Sequence, residues 1–357
     1  MRGQAWRTAA AWALAAAFGL VLLAVPRLGL YPAYLGTEIL IAVLLAQAFN
    51  LLFGYTGLLS FGQAAFFGVG AYGVAIMLRD VTGSIGLAML AGVALATLAA
   101  LVIGFLSVRR DEIFFSMLTL AFGMMLHTVV FQWRSFTGGS DGLTAFSVPD
   151  LVLPGLRVDL NDIVQYYYFT LAVVALATLF LWRLAHSPFG EVLKGLRENP
   201  QRMAFIGIHV ARYRLAAFVV AGALSGLAGT LMSPFTHIAS PVYLHWTRSA
   251  EPVLMTLLGG SRVFLGPAVG AAVFLYLHNL VTQYTENWEV VLGAVLLALI
   301  LFFPEGLLGS LAALARRLRQ GRTRRPALQT SDGPLAAGPP PPPPAAPAAK
   351  AAGREAP

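Results

Sequence analysis

Serine and histidine are the side chains that could do covalent chemistry in this cysteine-free chain. Ser60, Ser116 and His127 all fall in apolar stretches. His127 follows Ser116 by eleven residues, roughly 16 Å along a helix, and a nucleophile needs its base within hydrogen-bonding distance. The sequence also has no phosphate-binding loop of the form G-x-x-x-x-G-K-[ST]. We therefore expect no enzyme activity, no metal or cofactor site, and no ATP bound by this chain.

Ionisable side chains within apolar helices would indicate ion-driven transport. Glu38 and Glu251 stand near the starts of predicted helices, so we place both at the membrane interface. His127 lies well inside a predicted helix without a carboxylate beside it, and we interpret it as a helix-bonding residue rather than a proton relay. The lack of a buried carboxylate pair argues against a proton- or sodium-driven carrier, and energy would then come from a partner.

Glycine is dense between Asn50 and Tyr72, in the stretch NLLFGYTGLLSFGQAAFFGVGAY. Each glycine costs a helix about 1 kcal/mol relative to Ala. In return, glycines let helices approach closely or let a helix break beside a cavity. We assign six residues of this stretch either to a translocation path or to helix packing: Asn50, Tyr55, Ser60, Gly62, Gln63 and Gly68.

A basic loop at 183–214 has its own helical pattern. Ser187-Pro188 is a helix-start signal, and Asn199-Pro200 marks a break or a second start. Between them Val192, Leu193 and Leu196 share one face, and the charged residues Glu191, Lys194, Arg197 and Glu198 occupy the rest. Such a helix could lie on lipid or insert its apolar face into a groove of a soluble partner. Its mixed charge favours the protein partner.

Composition requires lipid as the solvent for most of this chain. Of its 357 residues 58% are hydrophobic and 11% charged, against roughly 25% charged in ordinary globular domains. Spanning helices need about twenty mostly apolar residues. The candidate segments are about 8–25, 37–53, 62–78, 86–106, 113–133, 164–182, 215–232, 246–258, 267–283 and 288–304. The segment 246–258 is the weakest, because Arg248 and Glu251 interrupt it.

The distribution of Lys and Arg predicts the orientation. With the N-terminus in the cytoplasm, seventeen of these residues fall on the inner side and five on the outer side, as the positive-inside rule requires. The net charge of +8 therefore indicates contact with anionic lipid rather than with nucleic acid. Residues 8–25 could also be a cleaved signal, but we read them as a retained anchor.

Several motifs in order resemble the LivM-type permease of branched-chain amino acid ABC transporters. They are GYTGLLSFGQAAFFGVGAY, TGGSDGL, SPFGEVLKGLRENPQRMAFIGI, AAFVVAGALSGLAG, LLGGSRVFLGPAVGA and FFPEGLLG, and they span roughly residues 37–309. Gln63 departs from the family, in which many members have His at this position. The Pro-rich tail, with Pro339 to Pro344 unbroken, has no counterpart there.

The resemblance implies an all-α integral membrane protein of the ABC importer permease type, with about ten transmembrane helices in two pseudo-repeated halves. A faint echo between residues 61–64 and 265–268 is compatible with such a repeat. We divide the chain into an anchoring helix and outer loop (1–36), a permease core (37–309) containing a cytoplasmic coupling segment (187–209), and a disordered cytoplasmic tail (310–357), basic and then Pro/Ala-rich.

The resemblance further implies three kinds of partner in a bacterial inner membrane, with both termini of this chain cytoplasmic. They are a second related permease, two ATP-binding cassette subunits and an outer substrate-binding protein. The residues assigned to ATPase coupling are Glu191, Leu193, Leu196, Arg197, Glu198 and Asn199. Those assigned to the outer loop facing the binding protein are Thr137, Gly138, Gly139 and Asp141. The solute stays open among branched-chain or related hydrophobic amino acids, urea and short amides.

Overall fold

The structure, a computed structural model, describes residues 24–109, 112–144, 146–153 and 156–284, with short stretches between 290 and 310. Its principal helices are α1 (Leu30–Thr56), α2 (Gln63–Asp80), α3 (Ile85–Ser107), α4 (Glu112–Gln132), α5 (Ile163–Ala185), α6 (Pro188–Glu198), α7 (Pro200–Phe205), α8 (Val210–Thr236), α9 (Trp246–Gly259) and α10 (Gly266–Thr282). All of the described residues belong to one compact unit, residues 1–314.

Eight of the ten predicted apolar segments coincide with helices in the described part of the chain. In that part, α1, α3, α4, α5 and α8 are long and apolar enough to cross a membrane. The chain is therefore a multi-pass membrane protein. The predicted helix at 8–25 and the tail at 310–357 lie essentially outside the described residues, and the predicted helix at 288–304 is described only in fragments.

Helix α3 shows how the bundle divides its surface between lipid and protein. Leu90 and Leu98 are 68% and 57% exposed, whereas Ala96 and Ala100 are fully buried. The buried side carries small residues every fourth position, so α3 meets α8 at Gly222 and Gly226, where a methyl group on either glycine would overlap Ala100 or Ala96. Close backbone approach through small residues is what holds membrane helices together in the absence of a hydrophobic driving force between them.

Helices α1 and α8 end in the same unusual way. Both have 27 residues, and each is followed by a residue in the left-handed conformation, Gly57 with φ 78° and His237 with φ 55°. The next helices, α2 and α9, begin side by side: the Ala64 N–H donates to Ser249 Oγ at 3.1 Å, with both residues buried. Helices α2 and α9 thus both start inside the bundle. For α2, the density of glycine before Tyr72 had suggested such a break in the helix.

The loop between α4 and α5 contains a short hairpin in an otherwise helical described chain, so the predicted all-α class holds for the bundle itself. Leu151–Leu153 and Leu156–Val158 form a short antiparallel hairpin, β1 and β2. Apolar residues around Pro154-Gly155 favour strands joined by a turn over a helix. Earlier in this loop, Leu143 forms an antiparallel bridge with Ala239, which follows α8.

The predicted coupling segment and the loop predicted to face the binding protein lie at opposite ends of α8. Helices α6 and α7 immediately precede its first residue, while Ala239, the partner of Leu143, follows its last. A 27-residue helix is about 40 Å long at 1.5 Å per residue. The coupling segment and the 134–144 loop are therefore separated by more than the thickness of a hydrocarbon core, which is about 30 Å.

Candidate functional site

The coupling segment is a pair of short helices whose boundaries follow from local sequence. Ser187 precedes α6 in an extended conformation with Pro188 in the first turn. Asn199 ends α6, and its side chain accepts a hydrogen bond from the Arg202 N–H at 2.9 Å, which caps α7. A capping side chain satisfies one of the free N–H groups at a helix start. These contacts fix the bend between α6 and α7, in agreement with the predicted break at Asn199-Pro200.

The apolar face of α6 is packed against its own chain. Leu193 is fully buried and Leu196 is 1% exposed, in one core cluster with residues of α1, α5 and α8. This corrects the expectation that Val192, Leu193 and Leu196 enter a partner's groove together. The leucines are unavailable for that role because the apolar ends of the membrane helices already cover them, while Val192 stays partly buried against the same cluster.

The polar face of α6 is the face left for a partner. Glu191 and Lys194 are exposed and form an ion pair of 2.7 Å across one helical turn. Glu198 is exposed as well. An exposed pair of this kind contributes only about 0.2–1 kcal/mol to stability. Its side chains can therefore exchange their mutual contact for contacts with another protein at little cost.

Arg197 ties α6 to the end of α1. Its Nη1 donates a hydrogen bond to the Gly54 carbonyl oxygen. Gly57, where α1 ends, packs against the same arginine: a β-carbon there would lie 3.3 Å from Arg197 Cγ. Burial, and then the neighbouring Arg262, lower the pKa of Arg197. A guanidinium stays charged despite such a shift, so this contact is a charged hydrogen bond at every physiological pH.

An open cleft of about 620 Å³ lies beside this contact. Arg197, Lys194 and Arg262 line it together with Tyr55, and Lys194 Nζ lies 6.0 Å from the centre of the Tyr55 ring. The structure thus brings together one residue predicted for the path, Tyr55, and the residues predicted for coupling. Three cations at its wall make the cleft electropositive despite Glu198 at its edge.

Three of the other residues predicted for the path are buried, and Gln63 and Gly68 contact neighbouring elements. Gln63 is fully buried, and its Oε1 accepts a hydrogen bond from Ser225 Oγ of α8 at 2.5 Å. Ser60, also fully buried, accepts from the Gly62 N–H at 3.2 Å. A β-carbon on Gly68 would overlap Leu244. In this conformation these residues serve helix packing, the second of the two roles that their types allowed.

Asn50 is buried in a different surrounding. Asn50 Oδ1 and Gln47 Nε2 have no hydrogen-bond partner among the described residues. Both residues line a cavity of about 10 Å³ between α1 and α5, about the smallest space that holds one water molecule. Gln47 Oε1, in contrast, accepts from Thr178 of α5 at 2.8 Å.

The 134–144 loop is a glycine-rich turn held by hydrogen bonds to the end of α4. Thr137 Oγ1 lies 2.6 Å from the Val130 carbonyl oxygen and 2.7 Å from that of Trp133, so it closes the end of α4. Gly138 and Gly139 follow with positive φ of 79° and 63°, a conformation that glycine adopts without strain. Asp141 is exposed at the tip. The loop therefore presents the exposed Asp141 at the end of the bundle opposite α6.

Glu38 and Glu251, the two acidic residues that the sequence placed at interfaces, line one cavity together with Arg248. Arg248 Nη1 donates to both carboxylate oxygens of Glu251 at 2.8 Å, and Glu38 of α1 lines the same cavity. Glu38 and Glu251 are both only partly buried, so their place near the membrane interface stays a prediction, whereas the pairing of Glu251 with Arg248 is new. The spacing Arg-x-x-Glu within an apolar segment was the available signal, because residues three apart on a helix share a face.

Comparisons with known proteins identify a family of transport permeases. The family described as "Branched-chain amino acid transport system / permease component" matches residues 31–300. The High-affinity branched-chain amino acid transport system permease protein LivM of Escherichia coli K12 is 24% identical, over 77% of this chain and 69% of the relative. The Probable branched-chain amino acid transport permease protein LivM of Methanocaldococcus jannaschii is 26% identical, over 74% of this chain and 89% of the relative.

A second kind of permease is also similar to part of the chain. The LivH permease protein of Escherichia coli K12 is 28% identical over 39% of this chain and 44% of its own length. No solved structure matches the chain significantly.

Proposed function

The chain belongs to the family of permease components of branched-chain amino acid transport systems, and on this premise we propose that it translocates branched-chain or related hydrophobic amino acids as a subunit of an ABC importer. One observation carries the mechanism. Helix α6 buries Leu193 and Leu196 in its own chain, is tied to α1 through Arg197, and leaves Glu191 and Lys194 exposed. Such a helix can receive a push on its polar face and transmit it to a membrane helix.

The energy would come from two ATPase subunits that dock on this face. The sequence has no phosphate-binding loop of its own. Glu191, Glu198 and Lys194 would pair with charges on an ATPase, and the buried leucines would keep α6 from sliding on the bundle. Asn199 would hold the bend between α6 and α7, so that both helices move as one body.

The remaining partners would occupy the other surfaces. An outer substrate-binding protein would contact the loop of Thr137, Gly138, Gly139 and Asp141, which is fixed at the opposite end of the bundle. A second permease of the LivH kind would complete the path, and the similarity of LivH to this chain supports a pairing of two related subunits. With the bias of positive charge as a guide, α6 and both termini would face the cytoplasm of a bacterial inner membrane.

A two-fold repeat would explain why α1 with α2 resembles α8 with α9. Helices α1 and α8 share their length of 27 residues and their left-handed ending, and each is followed by a helix that starts inside the bundle. We infer that α1–α2 and α8–α9 correspond, in place of the echo between 61–64 and 265–268. With the segments at 8–25 and 288–304 the chain would then cross the membrane about ten times.

Reconstitution tests this function directly. The chain, its second permease, the two ATPases and the binding protein are placed in proteoliposomes, and uptake of radiolabelled leucine, urea and acetamide is measured. We expect leucine uptake that requires ATP and stops when the ATPase subunits carry a hydrolysis-deficient substitution. ATP-driven uptake of urea or acetamide without leucine would assign the chain to amide transport. Uptake driven by an ion gradient without ATP would make it a secondary carrier.

A further inference from the structure

The cavity between α1, α2 and α9 holds an arginine with unused hydrogen-bonding capacity. Arg248 makes both of its contacts with Glu251 through Nη1 alone. A guanidinium has five N–H donors in a planar fork. The edge formed by Nε and Nη2 therefore makes no hydrogen bond with the described residues. That edge has the geometry that binds a carboxylate through two parallel hydrogen bonds.

The surroundings of Arg248 combine charge with an apolar wall. Glu38 of α1 and Ala64, in the first turn of α2, line the same cavity. The rest of the wall consists of apolar side chains such as Leu45, Phe67 and Met255. Branched-chain amino acids have the matching chemistry: one carboxylate, one ammonium and one apolar side chain.

Charged side chains at this place have no evident structural use. A buried ion pair is often no more stable than apolar residues of the same volume, and ionisable residues within membrane helices commonly mark solute pathways. Arg248 and Glu251 also keep 31% and 24% of their side chains exposed, so the cluster is reachable from a surface of the chain. In this conformation the cavity measures about 40 Å³, on a scale where about 10–15 Å³ holds one water molecule, so it has room for a few water molecules and must widen to take an amino acid.

We propose that Arg248 and Glu38 bind the two charges of an amino-acid zwitterion as it passes through an opened form of this cavity. The carboxylate takes the free edge of Arg248, the ammonium takes Glu38, and the side chain takes the apolar wall. Glu251 keeps its contact with Nη1 and holds the guanidinium in place. Because a zwitterion has no net charge, the total charge of the cluster is unchanged by its passage. The inference rests on the proposed function and adds the recognition chemistry: neutral urea would make only uncharged, weaker hydrogen bonds with these groups.

Transport by the complete importer tests this site. Glu38→Gln removes the ammonium partner, and Arg248→Lys keeps the pair with Glu251 but loses the second edge. We expect each to lower the maximal rate of leucine uptake about ten-fold, as loss of a charged contact does. The KM is expected to stay unchanged, because the binding protein sets it. Asp80→Asn, an exposed carboxylate paired with Arg79, is the matched control and should transport normally.

A second measurement separates solute contact from a structural effect. Ala42 lines the cavity and the chain has no cysteine, so Ala42→Cys gives the chain a single thiol. In the complete complex, leucine should slow labelling of this position by a maleimide. Urea and 4-methylpentanoate, which lacks the ammonium, should not. Equal protection by 4-methylpentanoate, or wild-type leucine uptake by both Glu38→Gln and Arg248→Lys, would overturn the site. A wild-type complex that carries no amino acid with ATP would instead overturn the proposed function.

Discussion

The guanidinium of Arg197 is hydrogen-bonded to the Gly54 carbonyl oxygen, so the coupling segment is fastened to the last turn of α1. Gly57 then ends α1 in the left-handed conformation with its backbone packed on the same arginine. A displacement of α6 must therefore move the end of α1. Because only residues 57–62 separate α1 from α2, the proposed movement would reach the centre of the bundle through a short connection.

Replacing Arg197 by glutamine should uncouple ATP hydrolysis from transport. The variant loses a charged hydrogen bond worth about 1.5–3 kcal/mol, while the leucines of α6 keep the helix in place. We expect about ten-fold slower leucine uptake at unchanged ATPase activity, measured together in proteoliposomes. Arg202→Gln is the control, since Arg202 is exposed on α7. Equal loss of uptake in both variants would contradict a special role for the contact with Gly54.

Leu196→Asp should prevent folding rather than merely weaken partner binding. Leu196 is 1% exposed within its own chain, and an unpaired buried charge costs several kcal/mol or more. We expect little monodisperse protein by fluorescence-detected size-exclusion chromatography of the isolated chain. Leu196→Ala, which costs about 2–5 kcal/mol, should lower the melting temperature. A Leu196→Asp chain that folds stably and only fails to bind ATPase would show that Leu196 inserts into a groove of the partner after all.

Reversing charge on the exposed face of α6 should weaken ATPase binding without affecting the fold. Glu191 is exposed and pairs only with Lys194 among the described residues. Glu191→Lys therefore costs the isolated chain about 1 kcal/mol or less, and its melting temperature should stay close to that of the wild type. We expect less ATPase to copurify with the variant than with the wild type. The difference should be larger at low salt, where charge interactions are least screened. Unchanged copurification would place the ATPase contact elsewhere.

Gly68→Val should abolish transport through packing. A β-carbon at this position would overlap Leu244, which precedes α9, and overpacking typically costs about 1–3 kcal/mol. Gly86→Val is the matched control, because it is also a helical glycine but has open space around it. We expect a lower melting temperature and lost uptake for Gly68→Val alone. Similar behaviour of both variants would mean that helix propensity, not the close approach, decides the outcome.

Thiol labelling tests the orientation inferred from the positive charges. Asp141→Cys and Lys194→Cys place single thiols at the two ends of the bundle, and both residues are exposed. In intact cells an impermeant maleimide should label position 141 at once and position 194 only after the membrane is opened. The reverse order would invert the topology and would place α6 on the side of the binding protein.

Length and hydrophobicity determined most of the secondary structure. Apolar stretches such as those of α3 and α5 have one stable solution in lipid, a helix that satisfies its own backbone hydrogen bonds. Ser187-Pro188 and Asn199-Pro200 similarly set the starts of α6 and α7, because capping acts within a few residues along the chain. The assignment of loops to the two sides by charge stays a prediction, because it rests on the bias of Lys and Arg alone.

Tertiary structure alone decided which faces these helices present and which distant residues meet. The amphipathic pattern of α6 showed that Leu193 and Leu196 would be buried. It does not tell whether a partner or the chain itself covers that face. Glu38 and Glu251 are more than two hundred residues apart, and they share a cavity because α1 and α9 pack together. Such a meeting depends on the path of the whole backbone, whereas the periodicity of a helix carries information about its own neighbours only.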